Sequence, residues 1–173
     1  MLTPFLPALA ALALCVAPPQ ADDATKARLK SALDATSLRY ELSQSGLSFA
    51  LLFDHPNNRQ QKIFVTIAPG KPGGLVTHTI YTTVWVNKDT PPDEATIRKV
   101  FTQSKKLGEF YLFKDTKGVW ALRFGVHFDA TGLKETSEKG DTLSTTLKDL
   151  IYFVNAVGEE TDKLLNGEKD IRG

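Results

Sequence analysis

Three histidines are the residues of this chain best suited to metal chemistry. His55 lies in a turn beside Pro56, whereas His78 and His127 are separated by 49 positions and lie in alternating segments. Metal sites usually combine His, Asp, Glu or Cys ligands at short spacings, and no such spacing surrounds these histidines. We therefore expect no metal site and no bound cofactor.

The serines and acids do not form a recognisable catalytic motif either. The glycine-flanked nucleophile turn of serine hydrolases, G-x-S-x-G, does not occur, and Ser45 and Ser48 fall in a predicted hairpin. Glu41 and Glu109 are candidates for a pair of glycosidase carboxylates, although nothing in their spacing predicts that they meet. We expect no catalytic residues and a non-enzymatic protein. A hydrolytic enzyme with an unrecognised site is the alternative.

Two further patterns bear on phosphate and nucleic-acid binding. Residues 70–74, Gly-Lys-Pro-Gly-Gly, resemble a phosphate loop, but they lead into a strand, and Pro72 removes a backbone donor. Aromatic residues concentrate in 110–113 and 120–128, and an exposed strand face of this kind can stack on bases. Because the formal net charge is only +1 and no basic stripe lies beside them, we expect these aromatics in the core. No nucleic-acid partner is expected.

The N-terminal residues predict export. The apolar run over residues 5–17 is too short for a membrane-spanning helix, and small residues and the acidic pair Asp22 and Asp23 follow it. This layout is typical of a cleaved signal peptide over residues 1–21; a buried N-terminal helix is the alternative. We expect a periplasmic or secreted protein with no stable membrane insertion after cleavage. The only cysteine, Cys15, lies in this segment, so the mature chain would have no thiol.

Periodicity in the rest of the chain predicts one α+β domain over residues 22–166 and a flexible C-terminal tail over 167–173. Helical and alternating patterns follow one another in the order α-β-β-β-α-β-β-α. Runs of strands between helices favour an antiparallel sheet, here of about five strands with helices packed on one side. An additional short strand before the middle helix is an alternative.

The helix patterns also predict particular local features. Thr90 is the expected cap of the middle helix, and Ile97, Val100 and Phe101 are its expected buried face. Asp141 is the expected cap of the last helix, and Gly158 marks an expected bend or break within it.

The strand before the middle helix alternates over residues 77–86, and both of its faces carry large side chains. This pattern predicts a central strand that is at least partly covered on both sides. We expect one face of this strand to carry Ile80, Thr82, Val84 and Val86. The other face is expected to carry Tyr81, Thr83 and Trp85.

Two segments carry a resemblance to a known family. They are residues 107–112 running into 119–124, and residues 150–157 in the last helix. With the order of elements, they are similar to the YbjN-like family, which has the fold of type III secretion chaperones. The resemblance covers residues 22–166 and rests on apolar patterns, not on functional groups.

The resemblance implies a regulatory or chaperone-like module that binds protein, because chaperones of this fold are dimers that bind extended segments of other proteins. We therefore expect a homodimer with a protein partner that includes an extended peptide segment. A carrier of a small apolar ligand between the sheet and the last helix is a further alternative.

Overall fold

Three helices and six strands make up the part of the chain described by a computed structural model, residues 23–69, 77–103, 107–133 and 142–166. The helices are α1 Asp23–Ala35, α2 Glu94–Phe101 and α3 Leu143–Asn166. The strands are β1 Glu41–Leu42, β2 Ser48–His55, β3 Arg59–Thr66, β4 His78–Asn87, β5 Glu109–Lys114 and β6 Trp120–Phe128. One turn of 3-10 helix, Pro56–Asn58, joins β2 to β3.

The strands form one antiparallel sheet in the order β1-β2-β3-β4-β6-β5. The predicted α+β class and the antiparallel sheet with packed helices are confirmed. The sheet has six strands where about five were expected, because four strands precede α2, which agrees with the alternative of an additional short strand there. The shortest is β1, whose two residues pair with Ala50 and Phe49 at one edge of the sheet. Strand β5 forms the opposite edge.

The main core lies between one face of the sheet and the helices α1 and α3. The stripe Leu147, Ile151 and Val154 of α3 is fully buried, as the three- and four-residue spacing of the helix predicts. It packs with Leu29 and Leu33 of α1 and with the inward side chains of four strands, namely Phe49, Leu51, Ile63, Val65, Ile80, Phe124, Val126 and Phe128. Burial of this contiguous apolar surface supplies most of the driving force for the fold.

Helix α3 passes through Gly158, so the break that was one of the two expectations there does not occur. A Cβ atom at this position would lie 2.7 Å from both the Gln61 Nε2 and the Thr82 Cγ2 atoms. Gln61 donates a hydrogen bond to Thr82, and both residues are buried under the helix. The glycine therefore permits a close approach of helix and sheet.

Helix α2 begins later than its sequence pattern predicts. Asp93, not Thr90, is the N-cap, and its carboxylate accepts a hydrogen bond from the Thr96 N–H at 2.7 Å. Val100 is buried as expected, but Phe101 is 51% exposed. Because the helix has only eight residues and one buried position, it presents a narrower apolar face than the pattern predicts.

The alternation of β4 is interrupted by a β-bulge at Val84. Thr83 pairs with Arg123, whereas Trp85 pairs with Leu122, so Val84 is the additional residue. Beyond the bulge the side chains exchange faces: Trp85 packs against Val84 and Leu122 on the helix side. The expectation that Trp85 opposes Val84 was therefore wrong, because a bulge reverses the period-two pattern.

Several predicted features lie outside the described residues: the signal peptide over 1–21, the loop over 70–74, the Asp141 cap and the tail over 167–173. Among the described helices, none is both long and apolar enough to cross a membrane.

Candidate binding face of the sheet

The candidate site lies on the face of the sheet that points away from the helices. Successive residues of a strand point to opposite sides, so Leu122 and Phe124 of β6 enter the helix-side clusters, whereas Arg123 and Gly125 point the other way. We call this second side the open face. Its aromatic residues do not belong to the core clusters formed by the described residues.

Four side chains form a row across three neighbouring strands and the edge strand β5. Phe64 of β3 stacks on Tyr81 of β4, with ring centroids 5.1 Å apart and planes 18° apart. The guanidinium carbon of Arg123 lies 4.3 Å from the Tyr81 ring centroid and 4.0 Å from that of Phe113 on β5. All four side chains are half-buried. We call Phe64, Tyr81, Arg123 and Phe113 the aromatic row.

Arg123 is held by stacking and not by an opposite charge. Its Nε donates a long hydrogen bond of 3.4 Å to the Thr83 hydroxyl. No carboxylate of a described residue lies within ion-pair distance of its guanidinium. Arginine stacks well on aromatic rings because its planar group is more weakly hydrated than an ammonium ion. The row therefore presents a preorganised positive charge.

Two phenols lie beside this charge. Burial raises the pKa of Tyr81 and of Tyr111 above the usual value of 10, and the positive charge of Arg123 opposes the rise in both. Both hydroxyls therefore keep their protons at neutral pH and can donate hydrogen bonds.

A depression with a volume of about 550 Å³ borders the row. Part of its wall is Tyr81, Tyr111 and Arg123, and Gly125 lies between these residues on β6. A Cβ atom at Gly125 would lie 3.1 Å from Tyr111 Cε1 and 3.4 Å from Tyr81 Cβ. Gly125 is buried because these neighbouring side chains cover it, so the glycine permits their close packing.

One end of the depression carries a hydroxyl, an imidazole and a carboxylate in sequence. The Thr79 Oγ1 and His127 Nδ1 atoms are 3.0 Å apart, and His127 Nε2 lies 3.2 Å from Glu109 Oε1. Such a chain can relay a proton. However, the side chains of His127 and Glu109 are 38% and 63% exposed, and the Thr79 N–H already donates to Thr66 Oγ1 at 2.8 Å. That N–H is therefore not available to stabilise an oxyanion.

A second charged cluster is buried between β3 and the C-terminal half of α3. Arg59 donates to Asp162 Oδ2 at 2.8 Å and lies 3.3 Å from Glu159 Oε2. His55 Nε2 lies 3.1 Å from Asn155 Oδ1 on the same helix. The geometry is that of a structural ion pair which anchors α3 to the sheet. Within the described ranges no group of three or more His, Cys, Asp or Glu residues could hold a metal ion.

The histidine and the glutamates considered as metal ligands or catalytic groups lie in separate parts of the sheet. His78 is buried, and its Nδ1 lies 3.1 Å from the Thr66 carbonyl oxygen. Glu41 and Glu109 lie on the two opposite edge strands, roughly 24 Å apart by strand spacing. Glycosidase carboxylates lie within about 10 Å of each other, so these two acids do not form such a pair.

The predicted core aromatics divide between the two faces. Phe110, Phe124 and Phe128 pack in the helix-side core as expected. Tyr111 and Phe113 lie on the open face instead, since they alternate with Phe110 along β5. Sequence reasoning did not find the contact of Arg123 with Tyr81 and Phe113, which depends on how three strands are paired.

Neither the known protein-family models nor the curated protein sequences contain a match to this chain.

Proposed function

We propose that this protein is an exported, non-enzymatic binding module of the YbjN-like type, whose open face receives an extended segment of another protein. The observation that carries the proposal is the aromatic row, half-exposed on the side of the sheet away from the described core clusters. Tyr, Phe and Arg are the residues enriched where protein surfaces bind one another. The row provides four such side chains, each in contact with the next.

The edge strand β5 extends this surface. Its six residues pair with β6 on one side, and the described sheet ends at its other side. An extended peptide can add to such an edge through backbone hydrogen bonds, while its alternate side chains contact one face of the sheet. A segment added next to β5 would place side chains beside Phe113 and Tyr111.

Two alternatives receive less support. The group of Thr79, His127 and Glu109 favours a hydrolase, but its exposure and the engaged Thr79 N–H argue against transition-state stabilisation. A carrier of an apolar ligand would need a cavity between the sheet and α3. The depression of about 550 Å³ lies instead on the open face, on the side of the sheet away from α3.

To test the proposal, a displayed library of extended peptides is selected for binding to the chain from residue 22 onward. Selected peptides are then titrated by fluorescence anisotropy against wild type, Tyr81→Ala and the matched control Tyr152→Ala. Tyr152 is 46% exposed on α3, remote from the open face. We expect Tyr81→Ala to weaken binding about tenfold or more, as truncation of an interface hot spot does, and Tyr152→Ala to leave it unchanged. Equal affinities for the three proteins would contradict the proposed site.

Export is tested separately by mass spectrometry of the natively expressed protein. We expect a new N-terminus between Pro18 and Asp23, as cleavage of the predicted signal peptide requires. A full-length cytoplasmic species would overturn this part of the proposal.

A further inference from the structure

The outer edge of β5 lacks the features that usually protect the edge of a sheet. Natural proteins keep edge strands short or place charges along them, because the unpaired backbone groups otherwise attract another strand. The opposite edge strand, β1, has only two residues. Strand β5 has six, and its four central residues, Phe-Tyr-Leu-Phe, are large and only partly buried. Among the described residues, no strand pairs with the outer side of β5.

The hairpin between β5 and β6 fixes which backbone groups of β5 point outward. At the hairpin end of the ladder, the Asp115 N–H donates to the Val119 carbonyl oxygen at 2.9 Å. Inward and outward residues alternate along an antiparallel ladder, so the odd-numbered residues of β5 bond to β6. The even-numbered residues direct their N–H and C=O groups to the outer edge; they are Phe110, Leu112 and Lys114.

Apolar side chains flank this edge on both faces of the sheet. On the helix side, Phe101 of α2 is 51% exposed, and its ring centroid lies 6.2 Å from that of Phe110. Leu107, two residues before β5, is 46% exposed. On the open face the edge carries the half-buried rings of Tyr111 and Phe113. The edge therefore favours an apolar strand as its occupant.

The sequence of β5 is itself such a strand, and it is self-complementary about Tyr111. If two copies pair antiparallel with Tyr111 opposite Tyr111 of the partner subunit, each Phe110 lies opposite the other copy's Leu112. Both residues direct their backbone groups outward, so these two apolar pairs are also the hydrogen-bonded pairs. Glu109 and Lys114 carry opposite charges at the two ends of the strand, and antiparallel pairing brings these ends together.

A shift of the centre by one residue is less favourable. Pairing about Leu112 would place Phe110 opposite a lysine, Lys114, and Glu109 opposite Asp115. Like charges directly opposite each other destabilise a strand pair. The Asp115 carboxylate cannot turn away without loss of the hairpin, because it accepts the N–H groups of residues 117 and 119, each at 2.8 Å. The charges thus select the register centred on Tyr111.

We propose that β5 pairs antiparallel with β5 of a second copy of this chain, with Tyr111 at the two-fold axis, and that this pairing excludes the extended segment from the edge. Two-fold pairing lets one edge serve both subunits. The exclusion rests on the proposed function, in which the segment adds next to β5. The dimer is then the form that covers the edge until a segment displaces the second copy.

Cysteine cross-linking locates the axis. The chain from residue 22 onward contains no cysteine, so an introduced one can form a protein disulfide only with its copy. Residues opposite each other in a non-hydrogen-bonded pair have Cα atoms about 4.5 Å apart, within the range of disulfides. With oxidised glutathione, Tyr111→Cys should form a covalent dimer about tenfold faster or more than Phe113→Cys, whose two copies would lie roughly 13 Å apart.

Light scattering of the wild-type chain complements the cross-linking, because it needs no substitution. We expect twice the mass of one chain at micromolar concentrations. Equal cross-linking of Tyr111→Cys and Phe113→Cys, or a wild-type mass of one chain at every concentration, overturns the inference. Either result leaves the proposed function standing if the monomer binds the selected peptides.

Peptide titration tests the exclusion. The oxidised and reduced forms of Tyr111→Cys carry the same substitution, and we expect the oxidised dimer to bind the selected peptides about tenfold or more weakly than the reduced form. Saturating peptide should also lower the wild-type mass to one chain with its peptide. Equal binding by both forms, or a wild-type dimer that persists with peptide bound, overturns the exclusion. Absence of peptide binding together with specific cross-linking at residue 111 contradicts the proposed function alone.

Discussion

At the scale of residues, Arg59 is a charged side chain that is almost completely buried. Its side chain is 2% exposed and that of Asp162 is 1% exposed, with 2.8 Å between their charged atoms. Desolvation of two charges offsets much of their attraction, so such a pair contributes little net stability compared with apolar residues. Loss of Asp162 has a different consequence, because Arg59 then stays buried with only its longer contact of 3.3 Å to Glu159.

Asp162→Ala is therefore expected to lower the free energy of unfolding by about 3–5 kcal/mol, measured by urea denaturation. The double variant Arg59→Met/Asp162→Leu removes both charges and should lose much less. Arg98→Ala serves as the control, because it breaks an exposed pair with Glu94 that lies on the surface of α2. If Asp162→Ala and the double variant are equally unstable, the buried charge is not the cause.

At the scale of elements, the N-terminus of α2 is capped by the carboxylate of Asp93. Hydrogen bonds from Thr96, the backbone N–H first, hold the pKa of Asp93 below its usual value of 3.8. A carboxyl group with a lowered pKa in the folded state stabilises that state above its unfolded pKa, and the stabilisation is lost as pH falls through the folded pKa.

Asp93→Asn is expected to keep the hydrogen bond of the cap but to lose this dependence on pH. Wild type should therefore be more stable than Asp93→Asn at pH 6, and the difference should shrink below about pH 3.8. Thermal unfolding across pH 2–7 measures it. A difference that stays constant through this range would show that the charge of Asp93 is not involved.

The close docking of α3 on the sheet and helix propensity predict opposite effects on stability when Gly158 is replaced by Ala. Propensity alone favours Ala over Gly in a helix by about 1 kcal/mol. At Gly158, however, a Cβ atom would lie 2.7 Å from the side chains of Gln61 and Thr82. We expect Gly158→Ala to destabilise the protein by about 1–3 kcal/mol, as overpacking does.

The matched control lies two residues earlier on the exposed side of the same helix. Ala156→Gly should cost about 1 kcal/mol through propensity alone. Chemical denaturation of both variants provides the comparison. A stabilised Gly158→Ala would mean that the helix does not contact Gln61 and Thr82 as closely as described.

At the scale of the whole molecule, apolar side chains remain exposed on α2, just before β5 and near the end of α3. Phe101, Leu107 and Leu164 are 51%, 46% and 43% exposed. We propose that the protein is a homodimer and that a two-fold interface buries part of this surface, because one patch then serves both subunits.

Light scattering of the chain from residue 22 onward at micromolar concentrations should give twice the mass of one chain. Phe101→Glu is expected to shift the mass toward a monomer, whereas Leu52→Glu is the control. Leu52 is 55% exposed but lies on β2, near the other edge of the sheet. A wild-type mass of one chain at every concentration would contradict the proposed homodimer.

The helices and most strand segments follow from the sequence, because their patterns are local. Alternation along β6 predicts that Phe124 and Val126 share a face, and the spacing of Leu147, Ile151 and Val154 predicts the buried stripe of α3. The period of each element is fixed by backbone geometry over a few residues, so it can be recognised without knowledge of the neighbours. The signal-peptide pattern is local in the same sense and remains a prediction.

Only the tertiary structure decided which residues meet. Strand order places Glu41 and Glu109 at opposite edges and brings Arg123 between Tyr81 and Phe113. The ion pair of Arg59 and Asp162 joins residues 103 positions apart. Such contacts depend on strand pairing and helix docking, which long-range packing selects and which no local period encodes. For the same reason one bulged residue in β4 was enough to reverse the predicted faces beyond it.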